Sequence, residues 1–339
     1  MSSSSSSSIA QLILHVSQQY TIYVSFIILF TGIFGHIINI FVFTRLTIFR
    51  ENSSAFYLIA ESIFDLLELM IVYTSNIPIN GFGNDLTQTS LIWCKLKPFF
   101  TQSLTVIPLN IVCFAAIDQY LSTNYYPYLR QKSTIKSAKI LTIIATIFWI
   151  LHSTLALFFI EIQSKYGCNI YNRNFRNYVT YFYFLILIGI LPIIVSIFFS
   201  IAAYQNVRRI VRRQMPIRRR RLDQQLTAMI LVRVGFLVVL LLPYLLQRIY
   251  TFSTLTYNDS IISQAILQLF TAITVSFFNL NYGGSFYLFL ITSTRFRRQV
   301  KYVFINKCWR IYCRKRIFQN QVVALVQSTA SELDLQQIQ

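Results

Sequence analysis

The chain has 339 residues, 55% of them hydrophobic and 16% aromatic, and only 12% charged. A soluble globular chain carries roughly 25% charged residues, and packing this composition in water would leave large apolar patches exposed, so a membrane is the solvent that fits. The net charge of +19 does not read as a nucleic-acid-binding arm, because the basic residues lie between apolar runs and not in one block.

In chain order, residues 1–19, "MSSSSSSSIAQLILHVSQQ", read as a disordered, Ser-rich extracellular tail. They lack the positive start and the uninterrupted apolar core of a cleavable signal. Windows of about 20 apolar residues, enough to cross ~30 Å of hydrocarbon, then recur at 20–44, 56–77, 97–120, 138–160, 178–204, 226–250 and 261–291. The fold class expected is therefore all-α: a seven-helix membrane bundle over 20–292, with short loops that leave no room for a soluble domain. Several windows are long enough to require tilt. Residues 293–305, in "STRFRRQVKYVFINK", read as a short amphipathic helix on an anionic inner leaflet, and 306–339 as a cytoplasmic tail.

Most of the Lys and Arg residues fall at alternate ends of these windows and after the last one, Arg233 being counted with them. The positive-inside rule puts those ends in the cytoplasm. With an odd number of spans, the N-terminus is then extracellular.

The second window carries Glu61, Asp65 and Glu68, spaced four and three apart and so near one helical face. An ionised acid at mid-bilayer costs roughly 2.5–3.5 kcal/mol, so this face must look into the bundle. Asp65 is the best candidate for a cation or proton site, with a protonated, hydrogen-bonded acid as the plain alternative. Pro108, Pro192 and Pro243 lie within spans, where each removes a helix hydrogen bond; Pro192 and Pro243 are hinge candidates. Cys94 and Cys168 fall on the outer side, where an oxidising exterior permits a bridge. Cys113 is mid-span and reads as a small apolar residue. Cys308 and Cys313 sit among basic cytoplasmic residues and are palmitoylation candidates. Asn258 opens an outer glycosylation sequon, while the one at Asn52 faces the cytoplasm and reads as chance. No nucleophile elbow, phosphate loop or ligand-spaced histidine appears, so no enzyme is expected.

In "VCFAAIDQYLSTNYYPYLRQKS" an apolar run ends at Asp118-Gln119-Tyr120. Set beside Gly35-His36, Asp65 in "AESIFDLL", Cys94, Trp149, Pro192, Pro243 and Phe296-Arg297, this makes the chain resemble the rhodopsin-like family of G-protein-coupled receptors over about residues 20–305. Its overall texture looks like the invertebrate peptide-receptor-like orphans of that family. The resemblance implies an outer disulfide between Cys94 and Cys168, and a G-protein-coupling motif at Asp118, Gln119 and Tyr120, with Asp223 at the base of the sixth helix. It also implies a sodium site at Asp65, Asn281 and Ser285, although Pro108 stands where a serine usually helps. No other cofactor is implied.

The departures are specific. Gln119 replaces the family's arginine, Leu241 a sixth-helix tryptophan and Ser200 a fifth-helix tyrosine. Ser285-Phe286-Tyr287-Leu288-Phe289 stands in for Asn-Pro-x-x-Tyr. Thr101 stands where the family's amine receptors carry an aspartate, and Asn279 near the opsin lysine, so neither class fits. Ligand-pocket candidates are Thr101, Arg173, Arg176, Gln247, Arg248 and Asn279, with aromatics and arginines in the second outer loop suited to a peptide.

The expected function is a plasma-membrane receptor that conveys an extracellular ligand, a neuropeptide, to a heterotrimeric G protein. The alternatives are a receptor fold with weak or no coupling because of Gln119, and a transporter. Transporters show paired internal repeats, and none is visible here.

Overall fold

A computed structural model describes residues 2–46, 49, 52–163, 167–210, 217–254 and 261–309. Asn258 and Cys313 lie outside the described residues, and at Cys308 the backbone but not the side chain is described. Among the described residues, six helices are long and apolar enough to cross a membrane. In chain order the bundle has a first helix (Ser2–Arg45), a second that is a composite, a third (Leu91–Thr123), a fourth (Ile135–Phe159), a fifth (π turns Tyr178–Ile190, then Leu191–Ile210), a sixth (Ile217–Thr254) and a seventh (Ile261–Gly283, resuming at Ser285–Thr292).

The second helix is the one that length and composition alone miss. It runs as an α-helix over Ser53–Leu67, widens to π turns over Glu68–Tyr73 and returns to an α-helix over Thr74–Phe82. Three acids interrupt its hydropathy, yet Glu61, Asp65 and Glu68 are all buried, as their shared face requires. Asn52, in the sequon read as chance, has a structural role here: its side chain caps this helix by accepting the Ala55 amide at 3.0 Å.

The third helix is the hub, packing against the second, fourth, fifth and sixth. Of its most apolar stretch 72% is buried, against 22% for the fourth helix. The fourth exposes Ile140, Ile143, Ile147 and Leu151 along one face, the apolar belt that lipid would cover. The first and seventh helices approach closely at Gly32 and Gly283. A Cβ on Gly32 would lie 3.0 Å from the Gly283 Cα and 2.6 Å from Leu69 Cδ1, so small residues are required there.

Two expectations need correction. The tail expected to be disordered is helical from Ser2, continuous with the first span. Serine costs well under 1 kcal/mol per residue relative to alanine in a helix, and Gln18 Nε2 anchors the extension on the Gly81 carbonyl at 2.7 Å. Arg233 is not at a cytoplasmic end: it is 1% exposed, within the sixth helix. The helices also run unbroken through Pro108 and Pro243, while Pro192 lies just past the π turns.

The bundle forms one compact unit ending at Ser293. The second unit begins at Thr294 with a helix to Lys301 that continues as π turns over Tyr302–Trp309.

Candidate functional site

At one end of the bundle, Cys94 is bonded to Cys168. Cys168 lies on strand β2 (Gly167–Ile170), antiparallel to β1 (Ile160–Gln163) and opposite Ile162. The bridge packs with Ala156, Ile160 and Ile170. Gly167 has φ +69, a conformation that favours glycine, and a Cβ there would push Gln88 Oε1 aside. Gln88 accepts the Cys168 amide at 3.1 Å and donates to Asp85 at 3.2 Å, which ties the first outer loop to the hairpin. Partial burial alone would raise the Asp85 carboxyl, but bonds from Thr87 and Gln88, with Lys97 nearby, hold it below the ordinary carboxylate value.

Either Cys94→Ser or Cys168→Ser should lower surface delivery. Losing a native disulfide costs roughly 2–5 kcal/mol in small secreted domains, and less is expected where lipid holds the helices. Flow cytometry of an outer tag measures the effect, and wild-type surface levels in both variants would show that the hairpin needs no clasp.

Beneath the hairpin lies a cavity of about 660 Å³, lined from the first, second, third, fifth, sixth and seventh helices. This is within the usual size of small-ligand sites. Of the residues expected there, Thr101, Arg248 and Asn279 line it; Arg173, Arg176 and Gln247 do not. Arg173 and Arg176 are exposed on a short helix (Arg173–Asn177) that buries Phe175 instead. Gln247 is buried and donates to Thr251 Oγ1 at 2.8 Å and Thr271 Oγ1 at 2.7 Å, joining the sixth and seventh helices. The wall also includes Glu68, Lys97 and Tyr183.

The polar core is organised around Arg233. Its Nε donates to Glu61 Oε1 at 2.5 Å and its Nη1 to Asn281 Oδ1 at 2.6 Å, both sides of the ion pair being buried. The guanidinium also acts electrostatically on Asp65, whose two oxygens have no hydrogen-bond partner. His36, in place of the family's asparagine, donates from Nε2 to the Tyr282 carbonyl at 2.5 Å and lies 3.9 Å from Asp65 Oδ2. Ser285 Oγ accepts from Asn39 Nδ2 at 3.3 Å. Of the residues expected at a sodium site, Asn281 Oδ1 thus accepts from Arg233 and Ser285 Oγ from Asn39 of the first helix. A fixed cation already sits among the acids.

At the opposite end of the bundle, Asp118 is 6% exposed. Its Oδ2 accepts from Ser53 and Ser54, and its Oδ1 from Ser133, all at 2.7 Å. Gln119 is 1% exposed and bridges outward from Asp118. Its Oε1 accepts from Ser54 at 2.8 Å, and its Nε2 donates to Thr227 Oγ1 at 2.6 Å and to the Asp223 carbonyl at 3.2 Å. Ser54 has one hydroxyl proton and serves Asp118 or Gln119 in turn. Tyr120 packs its ring against Phe199 of the fifth helix, centroids 5.5 Å apart. The motif is thus a hydrogen-bonded latch without a cation, joining the second, third and sixth helices, with Asp223 contributing its carbonyl to it.

Sequence reasoning missed Arg233, Glu61 as its partner, the three serines and Thr227. Arg233 was visible in "MILVRVGFLVVLLL", since an intramembrane charge marks a function or a partner by default. The serines and Thr227 carry no signal of their own.

A membrane bundle with a disulfide clasp at one end, a cavity beneath it and a polar latch at the other end is the architecture of a seven-helix transmembrane receptor. The family model described as 7 transmembrane receptor (rhodopsin family) matches residues 35–281, and the chain belongs to that family. Its members are non-enzymatic multi-pass membrane receptors that link an extracellular ligand to G-protein signalling. No curated protein matches the chain.

Proposed function

We propose that this chain is a plasma-membrane receptor for an extracellular peptide, with its N-terminus outside, its C-terminus inside, and restrained coupling to a heterotrimeric G protein. The observation that carries the reading is the cavity of about 660 Å³ beneath the Cys94–Cys168 hairpin, whose wall mixes aromatic rings with Lys97 and Arg248. Lys97 and Arg248 suit carbonyl or carboxylate groups of a peptide, and the rings suit its aromatic side chains. Arg248 is itself pre-positioned, donating to Tyr244 Oη at 3.1 Å and lying 5.7 Å from the Phe184 ring centroid.

A second reading, a receptor fold that binds ligand without driving exchange, is favoured by Gln119, which leaves the inner motif uncharged at the position of the family's arginine. A screen of cells expressing the chain, with a tag after Gln339 to report orientation, tests both. A neuropeptide library should contain a member that shifts a second messenger only in expressing cells, with the tag reached by antibody only after permeabilisation. Peptide binding without any messenger response would favour the second reading. Tag staining on intact cells would overturn the topology.

A further inference from the structure

We infer that the cavity takes a ligand carrying a protonated nitrogen, and that Glu68 is its counter-ion. The inference rests on the reading of this cavity as the receptor's ligand site and names the chemistry of that site. Glu68 lines the cavity, is 1% exposed, and its Oε2 has no hydrogen-bond partner. Of the second-helix residues on the cavity wall it comes first in the chain, on the side nearest the Arg233 core, and it opens the π turns of Glu68–Tyr73. Such wide turns recur at functional sites because they re-aim the side chains at a bulge.

Among the buried acids Glu68 is the one on the cavity wall. Glu61 has Arg233, Asp65 lies 3.9 Å from His36 Nε2 and does not line the cavity, and Asp118 has three serine hydroxyls. Among the described residues no Lys, Arg or His pairs with Glu68. The two bases on the same wall have partners of their own: Lys97 is within the field of Asp85, and Arg248 lies against Tyr244 and Phe184. A buried carboxylate without a partner is costly, and a cavity in front of it lets an incoming cation supply the missing partner. Tyr73, Tyr183, Tyr244 and Phe278 also line the space, and aromatic faces attract ammonium groups. The acid that amine receptors of the family carry at the position of Thr101 is thus replaced by one on the neighbouring helix.

The cation has three sources: a small amine, a peptide amino terminus or a basic peptide side chain. The full chain is purified in lipid nanodiscs and thermal stabilisation is followed with phenethylammonium and its neutral isostere phenethyl alcohol. The peptide arms are phenylalanyl-phenylalanine amide with a free or acetylated amino terminus, and acetyl-phenylalanyl-lysine amide. At least one cationic probe should bind about tenfold or more tightly than its neutral counterpart, as expected when one member of a buried charge pair is removed, and which one does so identifies the source. Glu68→Gln should abolish that preference. If Glu68→Gln does not fold, Glu68→Asp keeps the charge and should keep the preference at lower affinity.

No preference for any cationic probe in the native chain would overturn the inference, as would a preference that survives Glu68→Gln or is absent from a folded Glu68→Asp. None of these readouts involves a G protein. Ammonium binding through Glu68 in a chain that never drives nucleotide exchange would uphold this inference and sink the coupling.

Discussion

Arg233→Met is expected to lower the thermal stability of the purified receptor sharply and to hold much of the protein inside the cell. The substitution leaves Glu61 buried without its cation, and breaking a buried ion pair from one side costs about 3–5 kcal/mol. Asn281 Oδ1 loses its donor in the same step. Glu61→Leu combined with Arg233→Met should recover most of that loss, because replacing both members of a buried pair by apolar groups is often neutral. A double variant no more stable than Arg233→Met alone would mean that Arg233 works mainly through Asp65 or Asn281.

The same guanidinium is expected to make a sodium ion redundant. The expectation drawn from the resemblance was that sodium at Asp65 would weaken the agonist response. With Arg233 fixed among Glu61, Asp65 and Asn281, agonist potency should be the same in sodium and potassium buffers, for the native chain and for Asp65→Asn alike. Potency that falls in sodium for the native chain alone would show that an ion shares the site with Arg233. The pair also has a mechanical consequence, since any shift of the sixth helix relative to the second must move Arg233 against Glu61. Interhelical pairs of this kind make two discrete arrangements more natural than a continuum.

The bundle itself was legible because apolar length is a one-dimensional property: each span shows in the sequence wherever about 20 apolar residues run together. The second span was legible from the spacing of Glu61, Asp65 and Glu68, which share one face, although length and hydropathy in the folded structure pass it over. What the sequence left open was which acid meets which base. Arg233 lies 172 positions from Glu61, and only the packing of the sixth helix against the third and seventh brings them together. Counting Arg233 as an inner-end charge hid the pair. Glu68 was placed on the right face, but its lack of a paired base became visible only once Lys97 and Arg248 were seen to have other neighbours. The outer arginines failed as pocket residues for the opposite reason. Arg173 and Arg176 sit in a loop whose sequence favours ligand contact, yet the helix they belong to turns Phe175 inward and the arginines out.

Gln119→Arg should raise agonist-stimulated nucleotide exchange about tenfold at matched surface density, once an agonist is in hand. Gln119 is not at a hydrated boundary: it is buried, and every polar atom of its amide is engaged, by Ser54, Thr227 and the Asp223 carbonyl. Those bonds hold the third and sixth helices together without charge, and so give an approaching partner no cation to meet. An arginine would keep the donors toward Thr227 and Asp223 and lose the acceptor for Ser54, whose hydroxyl is then free to donate to Asp118 alone. The adjacent Asp118 carboxylate offsets the buried positive charge, so the variant should fold with a modest change in melting temperature. A charge-assisted hydrogen bond to the partner contributes roughly 1.5–3 kcal/mol, and each ~1.4 kcal/mol is a factor of ten in rate, which sets the expected gain. Binding of a non-hydrolysable GTP analogue to membranes, with and without agonist, measures it. Exchange by the native chain already equal to that of Gln119→Arg would mean that the latch opens as readily without a cation as with one, and that restraint of coupling lies elsewhere than at Gln119.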